Sequence, residues 1–146
     1  MMIQKTRRFD KQEQELLDKL IEHIRHELPG VIAIYLFGTW GSPHQRKDSD
    51  IDLAVLSDAR LEAVACWELA QRLAAEAGKD VDLVNLRTAS TVLRAQVIAG
   101  GERLYCADEN RCAEFEDFVF SDYARLNEER RGILEDIRHR GSVYGG

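Results

Sequence analysis

No stretch of this sequence is apolar for long enough to cross a membrane. The longest wholly apolar run, Val31 to Phe37, falls far short of the ~20 residues that a spanning helix needs. Cysteine is scarce: Cys66, Cys106 and Cys112 are odd in number and show no CxxC spacing. That disfavours both a disulfide framework and a structural zinc site and leaves them as small buried hydrophobes. Positive charge is in deficit too. The chain carries 20 Lys and Arg against 26 Asp and Glu, a net charge of -6, whereas a protein that grips nucleic acid directly normally presents a basic face. A small anion carried with a metal ion, or a basic protein partner, is compatible with that charge. The N-terminal MMIQKTRRFDKQEQ has basic residues but no apolar signal core after them, and it supports a cytoplasmic protein.

What is present is enough for an ordinary core. A chain of 146 residues, 45% hydrophobic and 32% charged, matches neither disorder nor a membrane class, and its length favours a single domain over residues 1–146. Leu16, Leu17, Leu20, Ile21, Ile24 and Leu28 fall at helical spacing from Lys11 to Leu28, and Pro29-Gly30 ends the run. Val31 to Phe37 reads as a buried strand, Ile51 to Leu56 as a second, and Val81 to Val84 as a third, with a helix from Leu61 to Ala77 between the last two. A helix from Ser90 to Ala99 and a short strand from Arg103 to Cys106 follow. From Asp108 to Arg140 a single long helix is expected, with a kink possible only at Gly132, and its stripe of Phe115, Phe118, Val119, Tyr123 and Leu126 asks for a cover. Alternating helices and strands predict an α/β or α+β fold: a small mixed sheet flanked by helices over about 11–107, with a C-terminal helical segment over about 108–140.

The stretch that carries chemistry is YLFGTWGSPHQRKDSDIDLAVL, Tyr35 to Leu56. It breaks at Gly38-Thr39, crosses a polar loop and places Asp50 and Asp52 at the mouth of the next strand. Carboxylates two apart on a strand share a face and repel each other unless a cation lies between them, and hard oxygen ligands favour magnesium or manganese. Asp82, inside VDLV, sits in the same setting on the following strand. Three such acids can hold two metal ions of the kind that clamp an in-line displacement at phosphorus. Gly38 lets backbone amides approach a phosphate, Thr39 adds a hydroxyl, and a short helix after them would aim its N-terminus at the same anion. Arg46 and Lys47 are further phosphate candidates in the loop, against the plain reading of a solvated loop. Trp40 either flanks the nucleotide or packs the turn. Together these residues suggest a metal-bound nucleoside triphosphate.

The pattern of Gly38-Thr39, about ten residues, then Asp50-Ile51-Asp52 resembles the signature of the DNA-polymerase-beta-like nucleotidyltransferases, with Thr39 standing where the family usually has Ser. The wider context from Ser49 to Val55, SDIDLAV, and the order of elements resemble the minimal nucleotidyltransferases that are paired with HEPN-domain toxins. The resemblance covers roughly Leu16 to Cys106. It implies a nucleotidyltransferase fold, Asp50, Asp52 and Asp82 as catalytic metal ligands for Mg2+, probable pairs of ions excepted from no member of the pattern, and Gly38, Thr39, Ser49, Arg46 and Lys47 at the ATP.

The resemblance further implies transfer of AMP from ATP to a hydroxyl. With no room seen for a built-in acceptor domain, the acceptor is expected on another molecule: the tyrosine of a cognate HEPN ribonuclease toxin, bound as a hetero-oligomer and neutralised by the modification. Two other readings stay open, a binding-only antitoxin with a relic nucleotide site and a small-molecule nucleotidyltransferase with a separate substrate-binding subunit. A helix over 108–140 would be roughly 50 Å long, so part of it is expected to project as a docking arm, flanked by Arg125, Arg130 and Arg131.

Overall fold

The computed structural model describes residues 7–43 and 50–139. Its elements run α1 (Lys11–Glu27), β1 (Val31–Phe37), β2 (Ile51–Ser57), α2 (Ala63–Ala77), β3 (Val81–Asn85), α3 (Thr91–Gly100), β4 (Glu102–Cys106) and α4 (Glu109–His139). Each expected element is found, and the differences lie at the ends. Ser90 caps α3 from outside it, its side chain accepting from the Leu93 amide, because a serine hydroxyl satisfies an amide that the first helical turn leaves unpaired. Asp10 does the same for α1 in a reciprocal pair with Glu13.

The strands form one mixed sheet in the order β3-β2-β1-β4. β1 is antiparallel to both β2 and β4, whereas β2 and β3 are parallel, as a strand-helix-strand crossover through α2 requires. One face carries Leu17, Leu20 and Ile24 of α1 and Leu69 and Leu73 of α2 against Ile51, Leu53 and Val55. The other carries Val97 and Ile98 of α3 and Cys112, Phe115 and Val119 of α4 against Tyr35, Ala54 and Leu56. Covered on both sides, β1 and β2 are nearly continuous runs of buried residues.

α4 spans 31 residues, roughly 46 Å at 1.5 Å per residue, and continues through Gly132. Only its first half is held. The buried Glu116 accepts hydrogen bonds from the Tyr35 hydroxyl at 2.8 Å and from Arg103 at 3.0 Å, while Arg103 also reaches Glu109 at 2.8 Å. Thr91 donates to Asp122 at 2.8 Å and ties the start of α3 to the same helix. Beyond that, Ile133, Leu134 and Ile137 stand 60%, 60% and 48% exposed. The expected apolar stripe needs one correction: Phe118 is 53% exposed, since it lies three residues from Phe115 on the side of the helix that turns from the sheet, and Glu116 takes a buried place instead.

Candidate active site

Strand register places the acids. Asp52 is the register partner of Phe37 on β1 and of Asp82 on β3, so the end of β1, the start of β2 and the start of β3 meet at one edge of the sheet. Ile51 and Leu53 are buried in the α1/α2 layer, and period-two alternation turns Asp52 to the opposite face. Asp82, its parallel partner, shares that face. Asp50 directly precedes β2 and is exposed.

Asp52 is half-buried, and the burial, followed by the charge of Asp82, a hydrogen bond with Asp82 and the charge of Asp50, pushes its carboxyl up from 3.8 to about 6, with Arg7 opposing. A carboxylate that water solvates poorly and that two further acids face is a site short of positive charge.

The turn after β1 closes over this edge. Gly38 has φ 75°, and a Cβ there would collide with the Asp52 carboxylate, so the close approach of turn and acid requires glycine. Gly41 has φ 77°, and a Cβ would run into the Phe9 ring. Ser42 donates to the Thr39 carbonyl from its amide at 3.0 Å and its hydroxyl at 2.6 Å. These bonds and the two left-handed glycines make residues 38–43 a turn, not the short helix expected after Thr39.

Trp40 is 1% exposed and packs on Phe9, with ring centroids 5.0 Å apart and Lys79 Nζ 5.5 Å from its ring. It belongs to the packing of the turn. Arg46, Lys47 and Ser49, assigned to the nucleotide from the sequence, lie outside the described residues.

One residue near the acids was not singled out from the sequence. Arg7 is 9% exposed and donates to the carbonyls of Trp40 and Gly38, each at 2.7 Å. Burial lowers its pKa, against the charges of Glu102 and Asp52. No local pattern marks it; its role follows from the packing of the chain before α1 against the turn.

Among the described residues no three His, Cys, Asp or Glu side chains are gathered tightly enough to form a metal site as they stand. The donor set nevertheless fits a hard divalent cation: Asp52 is held against Asp82 with Asp50 nearby, and the raised Asp52 carboxyl marks charge that a cation would neutralise.

Comparisons with known proteins agree with this geometry. The family model described as "Polymerase beta, Nucleotidyltransferase" matches residues 18–110. The chain is 42% identical over 120 residues to protein adenylyltransferase MntA of Shewanella oneidensis, covering 82% of this chain and 86% of that protein. Among solved structures, a crystal structure of a toxin–antitoxin with AMP-PNP matches with TM-score 0.75 and 41% identity, over 83% of this chain and 97% of the other. A structure of a tri-AMPylated Shewanella oneidensis HEPN toxin in complex with its MNT antitoxin matches with TM-score 0.73 and 40% identity, over 86% and 98%.

The raised Asp52 carboxyl sets a sign for stability. Its folded-state pKa of about 6 exceeds the ordinary 3.8, so ionisation costs the folded state more than the unfolded one, and the cost is fully present only above pH 6. In metal-free protein, Asp52→Asn should melt higher than the parent near pH 7. The advantage should shrink as pH falls between the two values and vanish below the lower one. Thermal melts across that range check this; a constant advantage down to about pH 3 would show that the gain does not come from ionisation.

Proposed function

This chain belongs to the polymerase beta nucleotidyltransferase family, and we propose that within it the chain is a protein adenylyltransferase acting as the antitoxin of a HEPN-type toxin. The observation that carries the reading is the single edge at which Asp52, Asp82 and the Gly38 turn meet, together with 42% identity to a protein adenylyltransferase over most of the chain.

ATP is the substrate. Asp50, Asp52 and Asp82 are the groups that would hold Mg2+, as two ions if all three acids take part, and a bound ion would neutralise the triphosphate and favour departure of pyrophosphate. The Gly38-Thr39 turn supplies backbone donors and a hydroxyl to phosphate oxygens, with Arg46, Lys47 and Ser49 assigned to the same nucleotide. The phenolic oxygen of a tyrosine on the partner attacks the α-phosphorus. The new oxygen–phosphorus bond forms as the bond to pyrophosphate breaks, and the phenolic proton passes to a base, for which Asp82 at the outer strand is placed. Asp52 orients the reacting phosphate from a half-buried position that excludes part of the water.

The acceptor comes on the partner, so the chain has to dock it. The outer half of α4, with Ile133, Leu134 and Ile137 exposed beside Arg130 and Arg131, serves as that docking arm. Among the described residues no helix is long and apolar enough to cross a membrane. A protein that works on a partner of this kind fits the cytoplasm. The intact trio of acids favours catalysis over a binding-only antitoxin, which needs none of them.

Asp50→Asn or Asp52→Asn should reduce transfer by roughly a thousandfold or more, the scale expected for losing several kcal/mol of transition-state stabilisation. Asp82→Asn should keep measurable Mg-ATP binding by calorimetry yet lose transfer. Near-normal turnover in either of the first two would refute the site assignment, and abolished ATP binding in the third would make Asp82 a primary ligand of the nucleotide-bound metal.

Truncation after Asn127 should leave a folded protein that binds Mg-ATP and modifies its partner slowly. Full-rate modification by the shortened chain would place docking elsewhere.

A further inference from the structure

We propose that Arg7, a residue outside the sheet and outside the acid cluster, is a positioning residue for the phosphate-binding turn, setting the direction in which the backbone of residues 38–41 faces the nucleotide. The inference rests on the nucleotidyltransferase reading above and deepens it.

The argument begins with the peptide plane. In a trans peptide the carbonyl and the following N–H point in opposite directions, and among the described residues no peptide bond is cis. The Arg7 guanidinium takes the Trp40 carbonyl on Nη1 and the Gly38 carbonyl on Nη2, both at 2.7 Å, and approaches the Gly100 carbonyl at 3.5 Å. Drawing two carbonyls of the turn onto one planar fork sends the amides of the same planes, those of Thr39 and Gly41, to the side away from the guanidinium. The positive φ angles of Gly38 and Gly41 permit that arrangement, and successive amides turned one way form the kind of concavity that takes an oxyanion.

Placement also matters. A buried, charged side chain holds its position only where its donors are satisfied, and Arg7 finds its acceptors on backbone atoms of the turn and of the end of α3. It thereby couples the segment before α1, whose Arg8 amide bonds the Gly41 carbonyl at 3.1 Å, to the edge that carries Asp52. Lysine would keep the positive charge near Asp52 and Glu102, but as a point donor on a flexible stem it lacks the two-pronged geometry. Charge and geometry can therefore be separated by substitution.

The test uses the full chain with Arg7→Lys and Arg7→Gln. Thermal melts establish folding, and calorimetry gives dissociation constants for Mg–AMP-PNP and for Mg–tripolyphosphate, a probe with no base or ribose. In folded variants both constants should rise about tenfold or more and by the same factor, with little rescue by lysine, because the defect lies in how the turn meets phosphate. Unchanged constants in a variant that melts like the parent would overturn the proposal, leaving Arg7 as a plain structural tie. If neither variant folds, amide exchange in the parent chain decides: slowed exchange at Thr39 and Gly41 on adding Mg–AMP-PNP supports the proposal, and unchanged exchange overturns it. A parent chain that binds neither probe would instead refute the nucleotidyltransferase reading itself, and this inference with it.

Discussion

Asp52 and Asp82 face each other across a parallel ladder in which every residue from Ile51 to Val55 is matched to one from Val81 to Asn85. The pairing is a backbone constraint, set by hydrogen bonds and by the burial of Ile51, Leu53 and Val81 in the layer beneath, so the two carboxylates cannot drift apart to relieve their repulsion. Slipping the register by one residue would send Asp52 into the α1/α2 layer and Leu53 out of it. The apolar pattern of β2 therefore protects the position of its acid. The same logic reaches β1, where Phe37 opposite Asp52 fixes where the chain must turn, and Gly38 then has to be glycine because the acid already fills the space a side chain would need.

Such an edge is a liability for folding and an asset for chemistry. Charges brought together without a counterion oppose the folded state, as the upward shift of the Asp52 carboxyl records, and natural proteins tolerate conflicts of this sort where function needs them. Compensation comes from the rest of the molecule. Two helices cover each face, Glu116 with Tyr35 and Arg103 secures α4, and Arg7 brings a positive charge toward the acids while tying down the turn.

Much of this was legible in the sequence, for reasons that differ by element. β1 could be read to its ends because it is covered on both faces and bounded by Gly30 and Gly38, so apolarity and turn residues agree. The acids could be read because an Asp inside a strand contradicts strand propensity and calls for a reason. What escaped depends on packing between distant segments. Arg7 acts through partners 31 and 33 residues away, a relation that no local pattern records. Trp40 could not be assigned until Phe9 was found against it, and Phe118 sits among residues that look apolar in a row yet faces outward by the phase of the helix. The turn after Thr39 was expected to start a helix because glycine followed by a hydroxyl residue suits either; Gly41, with its own left-handed backbone and Phe9 beside it, decides for the turn.

The central claim is that this edge transfers AMP to a protein. The most direct measurement is intact-mass spectrometry of a HEPN partner after incubation with the purified chain and Mg-ATP, in parallel with the Asp52→Asn variant. The account predicts a gain of one or more AMP units on the partner, on a tyrosine, with the parent chain and none with the variant. A partner that binds tightly and is neutralised with its mass unchanged would contradict it and leave the chain as an antitoxin that acts by binding alone.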